Sequence, residues 1–217
     1  MNKNELVIVL DTETTNSIDD AIIYDLGFAV VEPFSGNVIA TYSYVIAETF
    51  LNKDLMASAF FADKIPAYWE DIKNGKRQLV RLITAKKMLA DVCKMYDIHY
   101  IVAHNARFDY VSCNTTQRYF TCSKYRFFFP FGIKILDTLK MAKSVLHNDK
   151  KYCAFCKDNN YVTKNGQNRY TAEIIYRFLT NNLEFIEEHT GLEDVLIEKD
   201  ILKYCLNCDE NVNGLLW

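Results

Sequence analysis

The stretch Leu6-Val7-Ile8-Val9-Leu10-Asp11-Thr12-Glu13-Thr14-Thr15 decides how the rest of the chain is read. Its continuous apolar run suits a central strand buried on both faces. The run ends in two acids spaced two residues apart. Residues so spaced on a strand point to one face. Asp11 and Glu13 are therefore aimed together at the carboxyl end of a buried strand, a common site position in open α/β sheets. Buried like charges raise one another's pKa unless a cation is shared, and paired oxygens are what hard divalent ions take. An isolated D-x-E describes two solvated acids at a strand end equally well, so its meaning rests on what surrounds it.

Working outward, residues 21–31 and 38–46 are β-branched and aromatic, and Glu-Pro-Phe-Ser-Gly-Asn between them is a turn signal, so the pair reads as an antiparallel hairpin. Residues 48–78 are broken by Pro66 and Asn74-Gly75 into short helices and loops. Apolar residues recur at helical spacing from Leu79 to Tyr96. A short strand at 99–103, a helix from Asn105 to about Tyr119, a strand at 133–136 and helices at 137–147, 171–179 and 190–205 complete the reading. A hairpin start followed by alternating helix and strand implies an α/β fold: a mixed sheet flanked by helices.

Composition removes several classes. The chain has 217 residues, half of them apolar and 24% charged, which is ordinary globular composition. No repeat, linker or charge block divides it, so residues 1–217 read as one domain. With only 7 glycines and 3 prolines, collagen-like and low-complexity readings fail. The apolar run Leu6–Leu10 is far short of a membrane span or an export signal. Seven cysteines, an odd number, then read as reduced thiols, and a cytoplasmic protein without membrane contact is expected. A net charge of −3 argues against a polybasic nucleic-acid binder. It leaves room for an enzyme that gathers carboxylates around metal ions.

Two further motifs give the D-x-E its meaning. His104-Asn105-Ala106-Arg107-Phe108-Asp109 ends a strand and enters a helix, which puts Asp109 one turn in, near the same sheet edge if this strand neighbours the first. His189-Thr190-Gly191-Leu192-Glu193-Asp194 opens the last helix. Its T-x-x-E reads as a capping box, with His189 outside the helix and Asp194 in the first turn. Gly191 is read as the point where the loop flexes to let His189 swing over a metal on Asp194.

In order and together, D-x-E, H-N-x-x-F-D and H-x-x-x-x-D resemble the DEDDh 3′→5′ exonucleases, which include the proofreading subunits of replicative polymerases, ribonuclease T and oligoribonuclease. The Ile135–Leu139 stretch resembles the family's strand–helix junction. Residues 171–173 and 189–202 look most like the standalone exonucleases of bacteriophages. The resemblance spans Leu6 to Leu202 and implies a ribonuclease H-like fold. It further implies that Asp11, Glu13, Asp109 and Asp194 hold two Mg²⁺ or Mn²⁺ ions and that His189 is the general base, with Glu13 sharing the catalytic role. The implied product is a nucleoside 5′-monophosphate from a free 3′ end, with single-stranded DNA the expected substrate. If the protein is phage-encoded, its place would be the host cytoplasm.

Thr12, Thr14, Thr15, Asn105 and Phe108 are the expected substrate contacts. Asn105 and His104 also read as shaping their loop, and Phe108 as core. Relatives often continue the first motif with Gly-Leu, the Leu wedging against the terminal base, where this chain has Asn16-Ser17-Ile18. Residues 118–134 interleave basic and aromatic side chains, which reads either as a stacking surface for single strands or as core. Cys153/Cys156 and Cys205/Cys208 are two CxxC pairs, open to a structural zinc site or to buried thiols. A homodimer, a polymerase partner, a non-catalytic end-binding module and an endonuclease of the same fold stay open at this point.

Overall fold

The computed structural model describes residues 5–15, 20–121 and 126–216. Six strands form one sheet in the order β4-β3-β2-β1-β5-β6. These are β1 (Val7–Thr15), β2 (Ile22–Val31), β3 (Val38–Ile46), β4 (Gln78–Val80), β5 (Tyr100–Ala103) and β6 (Lys134–Asp137). The helices are α1 (Ala47–Phe50), α2 (Lys53–Met56), α3 (Ile65–Lys73), α4 (Leu82–Met95), α5 (Arg107–Phe120), α6 (Thr138–Leu146), α7 (Lys150–Asp158), α8 (Ala172–Thr180) and α9 (Gly191–Cys208), with a 3-10 turn at Ala62–Lys64.

β1, β2 and β3 pair antiparallel, while β5 runs parallel to β1, β6 parallel to β5 and β4 parallel to β3. The mixed α/β sheet expected from the sequence is present, and β5 does neighbour β1. β1 extends further than its apolar run, to Thr15. Two elements differ from the sequence reading. Leu79 and Val80, read as the start of a helix, instead form β4 with Gln78, because the β3 edge at Tyr44–Ile46 offers unpaired backbone groups that they satisfy. α7 fills a segment with no assigned structure, capped by the Asp149 side chain accepting from Tyr152 N.

The two faces of β1 follow its alternation. Ile8 and Leu10 pack into the cluster beneath α4 and α5, which includes Leu89, Val92 and Cys113. Val7 and Val9 pack into the opposite cluster with Ile175, Val195 and Ile201 of α8 and α9. Asp11 and Glu13 share the parity of Val7 and Val9. The pleat that buries the valines under α9 therefore presents both carboxylates to the start of that helix.

α9 approaches the sheet more closely than a side chain allows. A methyl group on Gly27 would fall inside the backbone of Gly191 and Leu192, and one on Gly191 would lie 2.7 Å from Gly27 N. Gly27 is the register partner of Asp11. Gly191 thus serves contact rather than flexing: two glycines let the helix N-terminus rest on the strand pair beside Asp11.

Candidate active site

Four segments converge at the end of β1. Asp109 lies in the first turn of α5 and receives a 2.8 Å hydrogen bond from the Thr12 hydroxyl. Asp194 lies in the first turn of α9, and its Oδ2 accepts from Thr190 N at 3.1 Å. Ligand atoms of Glu13, His189 and Asp194 all lie within 4.8 Å of one another. The electrostatic neighbours of Asp11 are Glu198, Asp109, Glu13 and Asp194. The sequence-predicted acids and histidine therefore meet in one place.

The start of α9 falls where the sequence puts it, with Thr190 as the flanking residue, but the capping box is rearranged. The Thr190 hydroxyl donates to Glu193 Oε2 at 2.7 Å instead of capping a backbone N–H. Asp194 takes the Thr190 N–H that a box would give to the glutamate. Glu193 is drawn aside by Arg77, whose Nη2 lies 2.7 Å from Glu193 Oε2. Arg77 is 4% exposed; it also reaches Asp25 at 3.0 Å and Asp71 at 3.1 Å, with its guanidinium 4.6 Å over the Tyr68 ring. Asp25 Oδ2 in turn accepts from Gly191 N at 2.9 Å and from the Tyr68 hydroxyl at 2.6 Å. This network, spanning β2, α3 and α9, ties the helix start to the sheet.

His189 holds a left-handed backbone with φ of 54°, an uncommon geometry for a residue with a side chain. Its imidazole stacks on Phe61. The preceding loop is pinned from α8: Glu173 accepts from Glu187 N at 3.0 Å and pairs with Arg177, whose Nε donates to Phe185 O.

Burial dominates the electrostatics of the carboxylates. It pushes Glu13 up to about 9, with Asp194 the next cause, and Asp194 up to about 8, with Glu187 next. Asp109 rises to about 7 despite the Thr12 hydrogen bond, and Asp11 is driven well above the carboxylate range by burial and then by Glu198. Asp11 Oδ2 and Asp194 Oδ1 are buried with no hydrogen-bond partner among the described residues. Orphan carboxylate oxygens beside further carboxylates are what a hard divalent cation would satisfy. Burial lowers the His189 pKa, keeping the ring neutral near pH 7.

Asp11, Glu13 and Asp194 open onto a cavity of about 1090 Å³, which Asp109 does not line. One wall comes from α6, α7 and the loop after it, and carries Lys143, Lys157 and Arg169. Sequence reading missed this wall, as it missed Glu187, Glu198, Arg77 and Phe61. The one available signal was spacing: Glu198 follows Asp194 by four residues, one helical turn.

The expected substrate contacts are placed unevenly. Asn105 is exposed at the cavity, with φ of 64° and its N–H donating to Asp137 Oδ1. Thr12 gives its hydroxyl to Asp109, so its side chain braces a carboxylate. Thr15 is fully buried, with its hydroxyl 3.3 Å from Ile22 O, and Thr14 O accepts from Phe60 N. Phe108 is half-buried and does not line the cavity. Asn16-Ser17-Ile18 lies outside the described residues. So does part of the 118–134 stretch; there Phe128 and Phe129 are core, and none of the described residues lines the cavity. Cys205 is core, while Cys153 contacts His147 O and Asn168, and among the described residues the two CxxC pairs form no shared metal cluster.

No family model matches the sequence, and no curated protein matches it. Solved structures do. The nuclease domain of 3′hExo, a DEDDh family member bound to rAMP, matches at 11% identity and a TM-score of 0.65, covering 98% of this chain and 96% of that one. A 3′-exonuclease solved for its 3′-end-specific recognition of a histone mRNA stem-loop matches at 10% identity and 0.59, covering 99% and 86%. E. coli exonuclease I in complex with a dA16 oligonucleotide matches at 15% identity and 0.54, covering 96% of this chain and 42% of that one. The chain has the ribonuclease H-like fold of these exonucleases.

Proposed function

We propose that the chain is a metal-dependent 3′→5′ exonuclease that cleaves the last phosphodiester bond at a nucleic-acid 3′ end, DNA in preference to RNA, and releases nucleoside 5′-monophosphates. The observation that carries this reading is the meeting of Glu13, His189 and Asp194 within 4.8 Å, beside Asp11 and Asp109, with buried carboxylate oxygens that no group among the described residues satisfies. The fold likeness to exonucleases solved with rAMP and with a dA16 strand supports it.

The donor set is dominated by hard oxygen, which fits Mg²⁺ or Mn²⁺. Asp11, Glu13, Asp109 and Asp194 would hold two such ions, which when bound activate the attacking water and stabilise the leaving 3′ oxygen. The remaining work falls to the chain. His189, neutral through burial, takes the proton of the attacking water on a ring nitrogen. Its stack on Phe61 and its pinned loop hold that nitrogen in place. Thr12 and Thr190 N–H orient Asp109 and Asp194. Carboxylates and the cations Lys143, Lys157 and Arg169 line one cavity, which suits a strand whose 3′ end meets the acids while its upstream phosphates meet the cations.

The test is hydrolysis of 5′-labelled single-stranded DNA and RNA oligonucleotides with Mg²⁺ and with EDTA. A ladder shortening from the 3′ end, abolished by EDTA and by Asp194→Ala, is expected. Intact substrate with both Mg²⁺ and Mn²⁺, or full activity in Asp194→Ala, would refute the reading.

A further inference from the structure

Glu198 is a buried acid that the four-carboxylate scheme does not use. It is 3% exposed and lies one helical turn beyond Asp194, on the same side of α9. It lines the same cavity as Asp11, Glu13 and Asp194. Of the acids around Asp11, it exerts the largest repulsion. Its Oε2 accepts a 3.1 Å hydrogen bond from His104 N, which fixes the carboxylate against the β5–α5 turn. The nearest cation in sequence, Lys199, is engaged with Asp200 at 2.7 Å. Burying a carboxylate is costly unless it is paired or coordinates a metal, and no salt bridge reaches Glu198 among the described residues.

A second observation points to a cation at this spot. Asp194, 4% exposed, lines the cavity with Oδ1 buried and unpartnered, and Asp11 Oδ2 is in the same state. The glutamate is explained if its charge is met by an ion bound among the other acids.

We infer that Glu198 is a fifth carboxylate of the divalent-metal centre, oriented by the His104 backbone N–H and acting with Asp11 and Asp194 on the bound ions. This rests on the metal-dependent nuclease reading. It assigns Glu198 a role in ion affinity distinct from that of a core residue anchoring a turn.

The test is calorimetric titration of the full chain with Mn²⁺, comparing wild type with Glu198→Gln. The amide keeps an oxygen for His104 N and removes only the charge. At least a tenfold weaker Mn²⁺ affinity is expected, with cooperative melting of the metal-free protein preserved. If the amide does not fold, Glu198→Met removes the charge together with the acceptor for His104 N, and unchanged Mn²⁺ affinity in that variant would overturn the inference. Mn²⁺ affinity within twofold of wild type in a folded variant would overturn the inference and leave Glu198 as a turn anchor. Failure of the wild type itself to bind Mn²⁺ would overturn the nuclease reading and this inference together. Weakened binding in Glu198→Gln beside a wild type that binds ions but cleaves no strand would support the fifth carboxylate and refute only the nuclease.

Discussion

Phe61 lies flat on the imidazole of His189, ring centroids 4.2 Å apart and planes within 6°. The stack buries one face of the ring and fixes its tilt, on a residue already held at positive φ. His189→Ala is expected to lower kcat/KM by about 100-fold or more, the scale of a lost general base. Phe61→Ala is expected to lower it about tenfold through looser positioning. Burial holds the His189 pKa below the ordinary value near 6.5. Removing Phe61 exposes the ring, so the acid limb of the kcat/KM profile moves to higher pH. An unshifted limb in Phe61→Ala would show that the stack does not tune the base.

Gly27→Ala is expected to be severe for a reason unrelated to strand propensity. The new methyl group meets the backbone of Gly191 and Leu192, which cannot rotate away. Overpacking of this kind costs about 1–3 kcal/mol or more. Because the displaced element carries Asp194, Mn²⁺ affinity falls together with the melting temperature. Retention of both would refute the close approach.

Arg77 is expected to matter for stability more than any other basic residue described. Removing one partner of a buried ion pair costs about 3–5 kcal/mol, because the other charge is left stranded. Arg77→Ala leaves Asp25, 0% exposed, without its guanidinium. Arg77→Lys keeps the charge but cannot span Asp25, Asp71 and Glu193 at once. Denaturant midpoints are expected in the order wild type, Lys, Ala. A lysine variant as stable as wild type would reduce the network to a single ion pair.

Metal-free protein is expected to lose stability as pH rises from about 5 to 9. Glu13, Asp109, Asp194 and Glu187 have pKa values raised to between about 7 and 9 in the fold, so the folded chain binds more protons than the unfolded one over that range. Buried His104 acts oppositely: its pKa is lowered, and its contribution is lost as pH falls below about 6.5. Four acids outweigh one histidine, so the melting temperature with EDTA falls between pH 6.5 and 8.5. Mn²⁺ restores it most at the higher pH. A melting temperature that rises with pH in EDTA would contradict the burial of these acids.

Much of this was legible in the sequence because it is local. The apolar run before Asp11, the turn between β2 and β3 and the placement of His189 outside α9 each follow from a few neighbouring residues. What escaped was set by distant partners. β4 is three residues long and abuts α4, so helical periodicity absorbs it; only the β3 edge makes it a strand. Glu193 fits a capping box until Arg77, 116 residues away, claims it. Gly191 reads as a hinge until Gly27 is seen beneath it. The partner of the Thr12 hydroxyl, Asp109, is likewise 97 residues away and meets it only when α5 packs beside β1.

The bond from Gly191 N to Asp25 Oδ2 joins residues 166 apart in sequence. Such a closure has a consequence in time. As the chain is synthesised, Asp11, Glu13 and Asp109 leave the ribosome well before α9 exists to cover them. Until that helix docks, neither His189 nor Asp194 stands beside β1. A nascent chain therefore carries most of the acids and no assembled centre, and any hydrolytic capacity would begin only once α9 docks on β1 and β2.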